Sequence, residues 1–138
     1  MNVELKPIKV TYQGKELIID IQKELTIDKN KLDSQLRDIP SNYYILCNIR
    51  DKYIRKRDEL AKERDVAYSE AWNFYKNTNP QWNNDYVSNK ATTNHKYVSK
   101  CNTYFKAAEK AAKFISLCKA YESKENILRT LSANLRKQ

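Results

Sequence analysis

The chain has 138 residues, with 26 Lys and Arg against 17 Asp and Glu, a formal charge of +9. Its mean hydropathy of −0.86 is polar for a compact globule. One Gly and three Pro supply few of the tight turns that an all-β fold needs. Ten Tyr and two Trp are too many for a disordered tail, and the length suits one domain. No apolar run approaches the ~20 residues of a membrane span. No basic stretch followed by an apolar run marks a signal peptide, so no membrane association is expected.

Residues 7–21 carry two readings. Ile8, Val10 and Tyr12 alternate, and Gln13-Gly14 can turn the chain back through Leu17 to Ile21 as a hairpin; the competing reading is a short helix over 15–24. Asp28 suits the N-cap of a short helix through about Asp38. Pro40 is expected to end it, because the residue before a proline avoids the helical region.

Ser41 or Asn42 then starts a long helix to about Tyr75. Leu46, Tyr53, Leu60, Ala67 and Phe74 fall every seven residues and line one side of it. Asp51 with Arg55 and Asp58 with Lys62 stand four apart as supporting pairs on its outer face. Arg57 and Arg64 lie beside the seam, where they either snorkel to water or touch a partner. Residues 76–93 read as an Asn-rich loop with Pro80. Its Trp82 and Tyr86 either stack bases or fold back onto the helices.

A second long helix is expected over 94–121. Tyr97, Cys101, Tyr104, Ala108, Ala111, Ile115 and Cys118 step by four and three along its seam. Lys96, Lys100, Lys106, Lys110 and Lys113 share an arc of roughly 140°. Glu109 is the one acid across 94–121, so these lysines have no partner within their own helix. Ser123 suits the cap of a last short helix with Ile127, Leu128, Leu131 and Leu135 on its apolar face. The fold class that follows is all-α, a bundle of long helices with coiled-coil-like seams. Residues 1–80 form one region and 81–138 a loop with C-terminal helices, the latter suited to oligomerisation.

Charge is uneven: residues 1–46 are neutral, 47–95 carry +2 and 96–138 carry +7. A basic surface on a polar protein points to a polyanion, most often nucleic acid. Catalytic chemistry has little to stand on. His95 is the lone histidine and Gly14 the lone glycine, so neither a metal cluster nor a phosphate-binding glycine loop can be built. Asp58 and Glu59 sit beside Arg55 and Lys62 as solvated pairs. No enzyme, metal or cofactor is expected. Cys47, Cys101 and Cys118 lack CxxC spacing and read as reduced buried thiols, the usage of a cytoplasmic protein.

The order of features is recognisable. Thr26-Ile27-Asp28 and Lys31-Leu32 are followed by Tyr43-Tyr44, a long charged helix, the cluster Trp72-Asn73-Phe74-Tyr75, and later Ser123-Lys124 with Ile127-Leu128-Arg129. This order resembles the recombination mediator proteins of tailed phages, the UvsY family, without gaps over 15–77 and more loosely towards the C-terminus. The resemblance implies an all-helical, non-enzymatic accessory factor of homologous recombination and repair, acting in the host cell cytoplasm. It implies a ring-like homo-oligomer, such as a heptamer, joined through C-terminal helices. It also implies partners: single-stranded DNA, the single-strand-binding protein and a RecA-like recombinase. The family's basic pair would fall on Ser69 and Ala71, neither of which is basic. The candidate DNA-binding residues are therefore Lys106, Lys110 and Lys113 from the stripe, and Lys56, Lys62, Arg64 and Lys76 near the aromatic cluster. Tyr75 and Trp82 are candidates for stacking. Ile115, Leu128, Leu131 and Leu135 are candidates for subunit contacts. The alternative function is a structural helical adaptor that binds protein alone. A duplex-bending protein lacks a wedge or minor-groove arm.

Overall fold

The computed structural model describes residues 5–137. Strands β1 (Ile8–Tyr12) and β2 (Lys15–Ile19) precede helix α1 (Ile21–Leu25) and a 3-10 turn at Lys29–Lys31. Helices α2 (Leu32–Thr78), α3 (Asn84–Thr92) and α4 (His95–Arg136) make up most of the rest. The fold is all-α with a small antiparallel hairpin, in register Ile8↔Ile19, Val10↔Leu17 and Tyr12↔Lys15.

The hairpin, rather than a helix over 15–24, forms because both turn residues reach the left-handed region. Gln13 has φ 52 and Gly14 φ 75, the pattern of a two-residue turn whose twist matches the strands. A Cβ added at Gly14 would meet nothing within 4 Å, so backbone conformation alone requires glycine there. Gly14→Ala is expected to cost about 1 kcal/mol, read as a lower urea midpoint at unchanged m-value. An unchanged midpoint would refute this turn geometry.

Two boundaries differ from expectation. Asp28 caps the 3-10 turn through its carboxylate, which accepts from the Asn30 N–H at 2.9 Å. Helix α2 then continues through Pro40. A proline inside a helix loses one hydrogen bond and costs about 3 kcal/mol. Here Pro40 is exposed while Ile39 next to it, and Leu46 and Ile49 about two and three turns beyond, are 1–4% exposed. Burial of three large side chains at roughly 2 kcal/mol each outweighs the lost bond. The second difference is at Ser123. It starts no new helix; its hydroxyl donates to the Lys119 carbonyl at 3.3 Å inside α4. Tyr121, Lys124 and Leu128 are buried on both sides of it, so one continuous face holds the chain helical.

Two compact units make up the chain. One combines residues up to Asp51 with those from Lys113 onward; the other spans Lys52–Ala112. In the first, Val10, Ile19, Ile39, Leu46, Ile49, Phe114, Leu117, Cys118, Tyr121 and Leu128 form the core. Tyr43 stacks on Tyr121 with centroids 6.2 Å apart and planes 6° from parallel. The Tyr43 hydroxyl donates to Glu122. Asn48 donates to the Tyr12 hydroxyl at 3.3 Å, tying hairpin to helix. Lys124, 8% exposed, donates its ammonium to the Glu24 carbonyl and so closes the end of α1.

Burial pushes the Cys118 thiol up from 9.0 to about 11, and the neighbouring Cys47 adds to it. A raised folded value gives stability that is present below about pH 9 and lost as pH rises through about 11. The loss, complete above about pH 11, is about 3 kcal/mol. Between those pH values Cys118→Ala is therefore expected to lose about that much less stability than the parent, measured by urea unfolding at each pH. Equal losses would remove the thiol from the account.

In the second unit the two long helices run antiparallel. Glu63 meets Lys100, Tyr68 meets Tyr97 and Glu70 meets Lys96, so α4 recedes as α2 advances. Leu60, Ala67 and Ala71 from α2 are buried with Val87 and Ala91 from α3 and Ala111 from α4. The heptad breaks at its last member: Phe74 is 62% exposed and Ala71 occupies the core. A straight helix drifts about 20° per heptad, so by the fifth repeat the buried stripe has moved by one step of four. Residues 76–93 are also more ordered than an Asn-rich loop. Asn83 caps α3, its side chain accepting from the Tyr86 N–H at 2.8 Å. Trp72 donates its indole N–H to the Ser88 hydroxyl at 3.2 Å.

Candidate nucleic-acid interface

The lysine stripe divides once α2 is in place. Lys96 pairs with Glu70 at 3.3 Å and Lys100 with Glu63 at 3.8 Å. Both glutamates belong to α2, so α4's shortage of acids does not leave these lysines unpaired. They flank a shallow cleft of about 280 Å³ that Lys62 also lines, with Val66 and Ala67 in its wall. Further along α4, Lys106 and Lys110 are exposed, and among the described residues neither has a carboxylate within ion-pair distance. The Lys110 ammonium lies 4.7 Å from the Tyr53 ring centroid, which fixes its direction without neutralising it. Lys113, where the other unit's part of α4 begins, is likewise exposed.

On α2 the expected pairs four apart give way to a tighter pattern. Arg50, Arg57 and Arg64 each hold the aspartate that follows, Asp51, Asp58 and Asp65, at 3.1–3.2 Å. The arginines fall seven apart beside the seam and reach outwards, and the adjacent carboxylate is the nearest acceptor. Asp51 and Asp58 are thereby taken, which leaves Arg55 and Lys62 without a carboxylate among the described residues. Lys56 and Lys62 are exposed. Arg64 snorkels: besides Asp65 its guanidinium covers the Tyr104 ring at 4.3 Å. Lys76 is committed locally, donating to the Trp82 carbonyl at 2.6 Å across the turn into α3.

The aromatic candidates are also engaged. Trp82 is half-buried and packs edge-on against Tyr86 at 4.7 Å. The Tyr75 hydroxyl accepts from Asn94 at 3.3 Å, and Asn94 in turn caps α4 through the Tyr97 N–H. The most exposed rings among the described residues are Tyr44 at 64%, Phe74 at 62% and Phe105 at 60%. Phe105 stands about 100° round the helix from Lys106, outside the basic arc. Its sequence signal was its place one residue past Tyr104, off the seam.

Among the subunit-contact candidates, Leu128 is 0% exposed and uses its apolar surface within the chain. Ile115 and Leu131 are half-buried, and Leu135 is 55% exposed. Ile127 at 49% exposure joins the open surface of that segment.

The arrangement can bind anions along α4 by charge. Among the described residues no helix is long and apolar enough to cross a membrane. Compared with protein-family models, with curated proteins and with solved structures, the chain has no match.

Proposed function

We propose that this chain is a non-enzymatic accessory protein that binds single-stranded DNA. In this reading it helps a RecA-like recombinase assemble on DNA coated by single-strand-binding protein, in phage recombination and repair. The observation that supports it most is the exposed, carboxylate-free pair Lys106 and Lys110 on α4 of a chain carrying +9. Lysines on a regular helix neutralise phosphates without reading bases, so affinity is sequence-tolerant and salt-sensitive. Phe105, exposed one residue before Lys106 on the adjoining face of α4, supplies a ring on which any base can stack. Homo-oligomerisation into a ring multiplies a modest site, because linked sites gain by effective concentration. The order of features shared with the phage mediators supports the choice of mediator over a generic DNA binder.

The test is filament assembly by a tailed-phage recombinase on single-stranded DNA already covered by its single-strand-binding protein. Addition of this protein should shorten the lag severalfold. An unchanged lag with intact DNA binding would confine the function to DNA binding. A protein-only adaptor is favoured by one observation, the exposure of Val66, Phe74, Val98 and Phe105 at 40–62%. A multimer with no DNA affinity at low salt would select that reading.

A further inference from the structure

In the unit that joins residues up to Asp51 with those from Lys113 onward, a cleft of about 580 Å³ opens. Its walls are the 3-10 turn, the first turns of α2 and the last turns of α4. The volume lies in the range of small-molecule sites, about 300–1,000 Å³. Lys29, Lys31, Arg37 and Arg136 line it, with Asp33 as the one acid. Among the described residues none of these four cations is in an ion pair. Ser132, 7% exposed, accepts from the Arg136 guanidinium at 3.2 Å and fixes it at the wall.

Four cations brought from both ends of the chain into one concavity repel one another. The concave wall also focuses their potential. An anion with several charges is the species that relieves this best. Arg37 and Arg136 offer planar forks that suit phosphate oxygens, and Lys29 and Lys31 add point charges across the opening.

We propose that this cleft binds a run of phosphate groups, from a free polyphosphate chain or from a nucleic-acid backbone. It shares no residue with the lysines of the DNA-binding proposal and does not depend on it.

The probe is inorganic tripolyphosphate, titrated by calorimetry at low salt against the full chain. Two charge-reversal pairs, Lys31→Glu with Arg37→Glu and Lys29→Glu with Arg136→Glu, are compared with Lys106→Glu with Lys110→Glu. Saturable binding is expected in the parent, weakened at least roughly tenfold by each of the first two pairs and within twofold of parent in the third. Two exposed-residue variants keep the test open if one misfolds. Absence of saturable binding in the parent, or binding within twofold of parent in both cleft variants, would overturn the proposal. A short oligothymidylate then names the source. Competition between oligothymidylate and tripolyphosphate in the third variant assigns the cleft to nucleic-acid phosphates. Tripolyphosphate binding without competition assigns it to a free ligand.

Discussion

Lys106→Glu with Lys110→Glu is expected to weaken binding to single-stranded DNA by roughly a hundredfold at low salt. Two cations become two anions at positions where, among the described residues, neither lysine is held in an ion pair. The slope of log affinity against log salt should become shallower by about 1.4 per subunit, since a single strand releases about 0.7 counterion per neutralised phosphate. The fold should survive. Both side chains are exposed, and the contact given up is Lys110 over Tyr53, worth about 0.5–1 kcal/mol. Filter binding across a salt series, with light scattering on the same samples, separates the outcomes. Lost binding at unchanged mass supports the lysine run. Unchanged binding would move the DNA contact elsewhere, and a changed mass would make the lysines part of a subunit interface.

Leu128→Ala is expected to be the most damaging single truncation on the C-terminal segment. Leu128 is 0% exposed within the first unit's core. Removing three carbons there costs the transfer term and a cavity term together, about 3 kcal/mol, or a Tm drop of about 10 °C. Leu135→Ala, at a position 55% exposed, should shift folding stability by less than about 0.5 kcal/mol. The comparison separates two uses of one apolar face. If thermal unfolding shows the two truncations to be equal, Leu128 is not the core residue described here. If Leu135→Ala changes only the mass in solution, the exposed leucine serves another subunit.

Much of the architecture was legible because helix periodicity is a local property. The seam of α4 from Tyr97 to Cys118 is buried or half-buried throughout, as steps of four and three require. The hairpin was legible as one of two readings. Only the backbone at Gln13 and Gly14 decides between them. The failures share a cause, competition between local signals and burial. Pro40 and Ser123 carry boundary signals, but the buried faces on either side run through them and the helices continue. Phe74 follows a strict seven-residue count, whereas the helix turns at 3.6 residues and leaves it outside. Within the candidate interface, charge partners were visible only along a single helix. Glu63 and Glu70 come from α2 to neutralise Lys100 and Lys96, a cross-helix pairing that no spacing within α4 reveals. The roles of Lys76 at the Trp82 carbonyl and Arg64 over Tyr104 likewise depend on which turn meets which. What the wheel did isolate, Lys106 and Lys110, lies beyond the reach of those glutamates.

The measurement closest to the central claim is binding of the parent protein to labelled single-stranded DNA across a salt series, with its mass followed by light scattering. A multimer that binds tightly at low salt, with affinity falling steeply and linearly on a log–log scale, is the predicted result. A multimer with no affinity for single-stranded DNA at low salt would contradict it and leave the helices of this chain to a partner made of protein.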